Sequence, residues 1–273
     1  MKILNQKNRR NWQGATALIT GASSGIGAFV ATKLAQLGMQ VILTARRTNA
    51  LEMLAQQLNH AGHSAAVMTA DLSDHADRQQ LMQHISARFG KLDVLINNAG
   101  FGWYGYYADM PWQIAEQMLK VNTEAVMHFT RLVLPTMRTQ GKGHIINIGS
   151  LVGGFPNQGV AVYAASKAFL DAFSTSLHRE MRGSGVQVSV LRLGPVRTEF
   201  FDTARHLQNG RSVPAERFAI PVERAAQAVV NLLEHPRRVQ YVPAYFAVIP
   251  LFSLLFAGII DRIGPLLLQR NTR

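Results

Sequence analysis

Ser150, Tyr163 and Lys167 lie within one segment, "SLVGGFPNQGVAVYAASK", which follows the apolar run "HIINIG" and leads into a helix-like run. Tyr163 and Lys167 are four residues apart, so on a helix they share a face. A free phenol titrates near 10, a poor match to neutral pH, and a nearby ammonium stabilises the phenolate and lowers that value. A hydroxyl such as that of Ser150 donates to an oxygen on which negative charge develops. The three together suit hydride addition to a carbonyl carbon, with Tyr163 as general acid, Lys167 as its tuner and Ser150 on the substrate oxygen. A Tyr and a Lys at this spacing are also an ordinary helix pair. The loop 151–160, with Gly153, Gly154 and Gly159, has to fold back for Ser150 to reach Tyr163.

Other chemistries fit poorly. "NIGSLVG" lacks the G-x-S-x-G elbow of a serine hydrolase. The nine histidines show no H-E-x-x-H spacing, and with no cysteine there is no thiolate site and no disulfide. No metal is expected.

The elements that must position these residues alternate along the chain. Strands are expected at 15–20, 40–45, 64–70, 92–97, 144–149, 186–193 and 239–242. Helices are expected at 25–38, 49–60, 73–89, 111–137, over the run carrying Tyr163, and at 221–234. Strands that are apolar throughout, separated by helices, imply a parallel sheet covered on both faces. The expected fold is therefore a doubly wound α/β sheet of about seven strands, Rossmann-like, with ligands at the C-terminal strand ends. Residues 14–243 read as one cofactor-binding and catalytic domain, 1–13 as a basic arm, and 244–273 as an apolar and basic extension.

The first strand runs into "TGASSGIG", residues 20–27. Gly21 permits a tight turn, Gly25 brings the backbone close to a pyrophosphate, and Gly27 lets helix pack on strand. The helix start then offers free N–H groups and a partial positive charge. At the end of the second strand, "LTARR" holds no acid, whereas a site for NAD(H) usually places one there. Arg46 and Arg47, with a hydroxyl from Ser23 or Ser24, suit the extra phosphate of NADP(H), which is favoured over NAD(H). A solvated basic turn is the plainer alternative.

The G-x-x-x-G-x-G spacing, "NNAG" at 97–100, "KVN" ending at Asn122, Ser150 and "YAASK" at 163–167 occur in an order that resembles the short-chain dehydrogenase/reductase family, in its compact single-domain branch. The resemblance covers about 14–242. It implies that Ile26 joins the glycine loop in cofactor binding, and that Asn98, Ala99 and Gly100 line the same site. It further implies that Asp71 and Leu72 lie beside the adenine, that Lys167 bonds the nicotinamide ribose, and that Asn122 holds a water linking Lys167 to a proton relay. In "RLGPVRTEF", Pro195, Val196 and Thr198 match the segment that bonds the nicotinamide carboxamide. Leu193 replaces the family's first Pro there. A helix N-cap or turn is the competing role for Asp71.

The net charge of +12 favours anionic ligands, yet the basic residues are scattered and carry no nucleic-acid-binding signature. No nucleic-acid partner is expected. The aromatic stretch 101–112 and a lid-like stretch 200–218 are expected near a small carbonyl or alcohol substrate, and an aromatic wall suits a lipophilic one such as a 3-oxoacyl or steroid-like ketone. The aromatics also suit loop packing or a subunit contact. The tail 245–260 is too short and too interrupted for a simple membrane span. It reads as a substrate cap, a subunit interface or a peripheral membrane contact. A cytoplasmic homo-oligomer, with membrane association left open by the tail, is the expected setting. A non-catalytic NADP-binding redox sensor or scaffold is the alternative function.

Overall fold

The computed structural model describes residues 12–250, 257–259 and 261–262. Most of the N-terminal arm and the apolar stretches of the tail, residues 1–11, 251–256, 260 and 263–273, lie outside the described residues. The readings of that tail as cap, interface or membrane contact therefore rest largely on undescribed residues.

The sheet has seven parallel strands: β1 (Thr16–Thr20), β2 (Gln40–Thr44), β3 (Ser64–Val67), β4 (Val94–Asn97), β5 (Gly143–Ser150), β6 (Val186–Leu193) and β7 (Val239–Val242). Their order is β3-β2-β1-β4-β5-β6-β7. Leu18 of β1 stands level with Ile42 of β2 and Leu95 of β4. Every residue of β1 and β4 is buried, as expected where helices cover both faces. The helices are α1 (Gly25–Gln36), α2 (Thr48–His60), α3 (His75–Phe89), α4 (Trp112–Leu119), α5 (Ala125–Gln140), α6 (Ala161–Glu180), α7 (Phe200–His206) and α8 (Val222–Glu234). One apolar core joins the sheet to α1, α2 and α8 through residues such as Val30, Leu34, Leu51 and Val229. A second joins it to α3, α5 and α6 through Leu81, Ile85, Phe129 and Leu177.

The strand order reverses between β1 and β4. Crossovers leave the sheet in opposite directions there, and a crevice opens at the C-terminal strand ends. Ser150, the last residue of β5, stands at that edge.

Two elements differ from the sequence expectation. The third strand stops at Val67, and beyond it the N–H groups of Met68 and Ala70 still donate to the Leu43 and Ala45 carbonyls. The long helix expected over 111–137 is interrupted. Lys120–Glu124 forms a widened π-type turn between α4 and α5, and Asn122 sits fully buried inside it. Periodicity alone does not reveal such a turn, because it adds one residue without breaking the apolar pattern.

Candidate active site

The cleft begins at the β1–α1 turn. Gly21 has φ +65°, and a Cβ there would lie 2.8 Å from the Ala99 Cα. At Gly27 a Cβ would lie 2.3 Å from the Gly21 carbonyl oxygen and 2.6 Å from the Asn98 amide. The Asn98 amide donates to the Thr20 carbonyl at 2.8 Å and to the Gly21 carbonyl at 3.2 Å. Gly25 packs against Thr198, whose Cβ is 3.2 Å from a Cβ built at the glycine. The Ser24 side chain does not cap α1. The opening N–H groups of that helix face the cleft lined by Gly25 and Ile26, so the cradle fits an anionic pyrophosphate.

Thr20 is a residue the sequence reading passed over. Its hydroxyl accepts from the backbone N–H of Asn98 at 2.9 Å and of Ala99 at 3.0 Å. It donates to the Ile96 carbonyl at 3.2 Å. One hydroxyl thus ties the glycine loop to the "NNAG" turn. A hydroxyl residue at the last position of the strand, directly before the glycine loop, was the available signal.

The two arginines behave differently. Arg47 donates to the hydroxyl of Ser23 at 3.2 Å and to that of Ser24, and pairs with Glu199 at 2.9 Å. Arg46 is exposed at the cleft wall. Arg47 thus lies over the loop, while the Arg46 charge acts on Asp71 of the neighbouring wall. Asp71 and Leu72 line the neighbouring wall. Burial opposes charge on Asp71, but hydrogen bonds from the Ser73 N–H and hydroxyl and the charges of Arg46 and Arg78 outweigh it, so its carboxyl titrates below the usual range. Asp71 therefore shapes its own turn, while Asp74 caps α3 by accepting from the Asp77 N–H at 2.8 Å. The buried Arg78 holds the Leu72 carbonyl at 2.7 Å.

At the other end Ser150, Tyr163 and Lys167 converge. The Ser150 hydroxyl lies close enough to the Tyr163 phenol to favour its ionised form. Lys167 Nζ donates to the Ile148 carbonyl at 2.9 Å and lies 5.7 Å from the centre of the Tyr163 ring. Asn122 is locked by Phe101, accepting from its N–H at 3.1 Å and donating to its carbonyl at 3.0 Å. A Cβ at Gly100 would lie 2.9 Å from Asn122 Oδ1 and 3.7 Å from Lys167 Nζ, so "NNAG" ends in the gap between them. Pro195, Val196 and Thr198 line the same cleft from beyond β6.

The electrostatics depart from expectation. Burial pushes the Tyr163 phenol up to about 12, with the Ser150 hydroxyl pulling it part of the way back. Burial also brings the Lys167 amine down to about 8, against the opposing pull of Asp171. Desolvation thus outweighs the expected tuning of Tyr163 by Lys167 in the protein alone. In the connecting loop Gly159 takes φ +85°, as a chain folding back requires, and the glycines are also closely packed. A Cβ at Gly153 would lie 2.6 Å from Asp171 Oδ2 and 2.8 Å from the Lys167 carbonyl, and one at Gly159 would lie 2.6 Å from the Tyr104 ring.

The cleft holds about 620 Å³. Its far end is apolar: Phe101 and Trp103 from the aromatic stretch, Val152 and Phe155 from the loop after β5, and Phe200 and Phe201 from α7. Val152 and Phe155 were not foreseen, since that loop carried no marker beyond its glycines. Tyr106, Tyr107 and Trp112 are exposed instead, so only part of the aromatic stretch forms a wall. The segment after α7 is fastened to that stretch. Trp103 Nε1 donates to the Gln208 carbonyl at 3.0 Å, the Arg211 N–H to the Tyr104 carbonyl at 2.9 Å, and the Asn209 amide to the Asp109 carbonyl at 2.8 Å. The start of the tail touches the same region: a Cβ at Gly194 would lie 2.1 Å from the Phe246 ring.

A glycine cradle at a sheet reversal, facing a Ser–Tyr–Lys cluster, defines a class: a doubly wound α/β oxidoreductase. The family described as short chain dehydrogenase matches residues 15–209. The 3-oxoacyl-acyl-carrier-protein reductase FabG of Escherichia coli K12 is 35% identical over 189 residues, 69% of this chain and 76% of that one. A short-chain dehydrogenase from Sphingobium yanoikuyae, solved in complex with NADPH, is 30% identical with a TM-score of 0.79, covering 90% of this chain and 95% of that one. A short-chain dehydrogenase/reductase from Burkholderia phymatum, solved with NAD, shares the fold at a TM-score of 0.83 and 24% identity, covering 92% and 96%. The chain belongs to the short-chain dehydrogenase/reductase family and is an oxidoreductase acting on CH–OH or carbonyl groups. Among its described residues no helix is long and apolar enough to cross a membrane.

Proposed function

We propose that this protein interconverts a carbonyl and a secondary alcohol on a lipophilic substrate, using a nicotinamide dinucleotide, with NADP(H) preferred and Tyr163 as general acid/base. The observation that carries the reading is the meeting of Ser150, Tyr163 and Lys167 at the apolar end of a cleft whose other end is the glycine cradle. Gly21, Gly25, Ile26 and Gly27 would hold the pyrophosphate, Asp71 and Leu72 the adenine, and Lys167 and Thr198 the nicotinamide end. The reduced cofactor supplies the hydride when bound. Ser150 donates a hydrogen bond to the substrate oxygen and Tyr163 gives it a proton. With burial holding the phenol at about 12, Tyr163 is protonated through the neutral range, the form that reduction requires. Asn122 anchors the backbone of Phe101 beside Lys167, where a water relay would start.

The apolar wall of Phe101, Trp103, Val152, Phe155 and Phe200 favours a 3-oxoacyl, steroid-like or other apolar ketone. Turnover of NADPH with a panel of such ketones, and its loss in Tyr163→Phe, is the test. Cofactor binding with no turnover on any carbonyl would favour the sensor or scaffold alternative.

The cofactor preference rests on Arg46 and Arg47. A charge-assisted hydrogen bond contributes about 1.5–3 kcal/mol, roughly tenfold to a hundredfold in affinity. Arg46→Ala and Arg47→Ala are expected to raise KM for NADPH by at least about tenfold, with far smaller changes for NADH. Equal changes for both cofactors in both variants would remove the preference.

The expected homo-oligomer has a surface to use. Leu119 and Met127, on either side of the π-type turn, are each 39% exposed. Placing Glu at both positions is expected to convert a dimer or larger assembly to a monomer in sedimentation. A wild-type protein already monomeric at micromolar concentration rules this contact out.

A further inference from the structure

Helix α6 carries Tyr163, Lys167 and Asp171 at four-residue steps, so all three lie on one face. Only the first two line the cleft. Asp171 is 7% exposed, and it is part of a second charged system behind the site. Its Oδ1 accepts from Arg192 Nε of β6 at 2.9 Å. Arg192 in turn donates to the Tyr241 hydroxyl of β7 and sits over that ring at 5.2 Å. The other carboxylate oxygen, Oδ2, is buried without a hydrogen-bond partner. It lies where Gly153 allows close approach, and a Cβ at that glycine would also crowd the Lys167 backbone.

Two buried charges on one helix face are costly unless they answer each other. Lys167 is 5% exposed, and its amine donates to a neutral carbonyl, that of Ile148. The groups facing it are few. On α6 these are Tyr163 and Asp171; from the turn between α4 and α5 comes uncharged Asn122; from β5 come the Ile148 carbonyl and the Ser150 hydroxyl. Arg192 of β6 and Tyr241 of β7 lie beyond Asp171. Among the described residues Asp171 is the one anion whose charge acts on the Lys167 amine, across the shared helix face rather than through a direct ion pair.

We propose that Asp171, clamped by Arg192, is a positioning residue that serves as counter-charge to Lys167 and holds it as an ammonium ion at the cleft. The geometry assigns Arg192 the task of keeping Asp171 ionised and aimed. Burial works to protonate Asp171, and the Arg192 charge and hydrogen bond oppose it. The mutual attraction of Asp171 and Lys167 acts in the same sense on both. This inference rests on the proposed role of Lys167 only for its catalytic consequence, because the charge coupling exists in the ligand-free chain.

The test is therefore an NMR titration of the ligand-free, full-length protein with isotope-labelled lysine. The Lys167 signal is identified by its absence in Lys167→Met. The parent signal is expected to titrate at about 8. In Asp171→Asn the midpoint is expected to fall by about one pH unit or more, the size of effect of an opposite charge at close range. Asp171→Glu is expected to restore much of it. The alkaline limb of kcat/KM should move down by the same amount. If Asp171→Asn does not fold, the neutral pair Asp171→Asn with Arg192→Gln keeps a hydrogen bond and is expected to lower the midpoint as well. An unmoved Lys167 midpoint in a folded variant, even with a lower melting temperature, overturns the proposal and leaves the pair a structural tie between α6 and β6. Absence of carbonyl turnover with a shifted midpoint would instead count against the proposed reaction.

Discussion

Replacing Tyr163 with Phe is expected to lower kcat for carbonyl reduction by about 10²- to 10⁴-fold, the range that a positioned general acid contributes. The variant removes one hydroxyl and little else. The Tyr163 ring packs against Phe200 at 5.4 Å between centres, a contact that Phe retains. The Ser150 hydroxyl loses a polar neighbour but stays near solvent in the cleft, so the penalty of an unsatisfied buried group is small. Cofactor affinity, read by quenching of protein fluorescence, should change by less than about threefold, since the cradle lies at the other end. The melting temperature should hold. A variant that keeps more than about a tenth of the parent rate would show that another group delivers the proton. That result would direct attention to a water chain from Lys167.

The second large effect is expected at Gly27. A methyl there would lie 2.3 Å from the Gly21 carbonyl oxygen and 2.6 Å from the Asn98 amide. Neither neighbour can give way easily. Gly21 is itself pressed against Ala99, and Asn98 is fastened to the Thr20 and Gly21 carbonyls. Gly27→Ala must therefore push α1 away from β1, at a cost of about 1–3 kcal/mol for overpacking. It also opens the pyrophosphate cradle, so dinucleotide binding is expected to fall beyond detection at millimolar concentration. Gly62→Ala is the matched control. Gly62 has φ +81° but nothing within 4 Å of a new Cβ, so it carries backbone strain without a clash. It should lose about 1–2 kcal/mol and bind cofactor as the parent does. Equal cofactor affinity in Gly27→Ala and the parent would mean that the cradle is not where the phosphates sit.

The sheet was legible because each strand carries a short, mainly apolar run, and most helices repeat an apolar face; Leu18, Ile42 and Leu95 align as that pattern requires. The glycine loop was legible because backbone geometry there tolerates few residue types. Ser150, Tyr163 and Lys167 were legible as residue types, and the sheet edge explains why they meet. Their titration was not, because desolvation depends on the whole surrounding shell. Packing at Gly153, between Asp171 and Lys167, was hidden too, since a glycine in a loop says nothing about what presses on it. Val152 and Phe155 lacked any mark in the sequence beyond position, and Thr20 was marked only as a hydroxyl at the end of its strand. Arg192 and Asp171 are 21 residues apart, and only the parallel pairing of β5 with β6 brings α6 over β6.

The widened turn at Lys120–Glu124 has a consequence for the outside of the molecule. Along an unbroken α-helix, Leu119 and Met127 would point about 80° apart, since each residue advances by about 100°. A π-type turn takes up one extra residue, so the eight steps between them cover the rotation of about seven, and the two come within about 20° of one line. Trp112, seven residues before Leu119 and 63% exposed, falls on that line as well. The same irregularity that seats Asn122 in the interior therefore straightens an apolar seam along the exterior of α4 and α5, locking the phase of one face to that of the other.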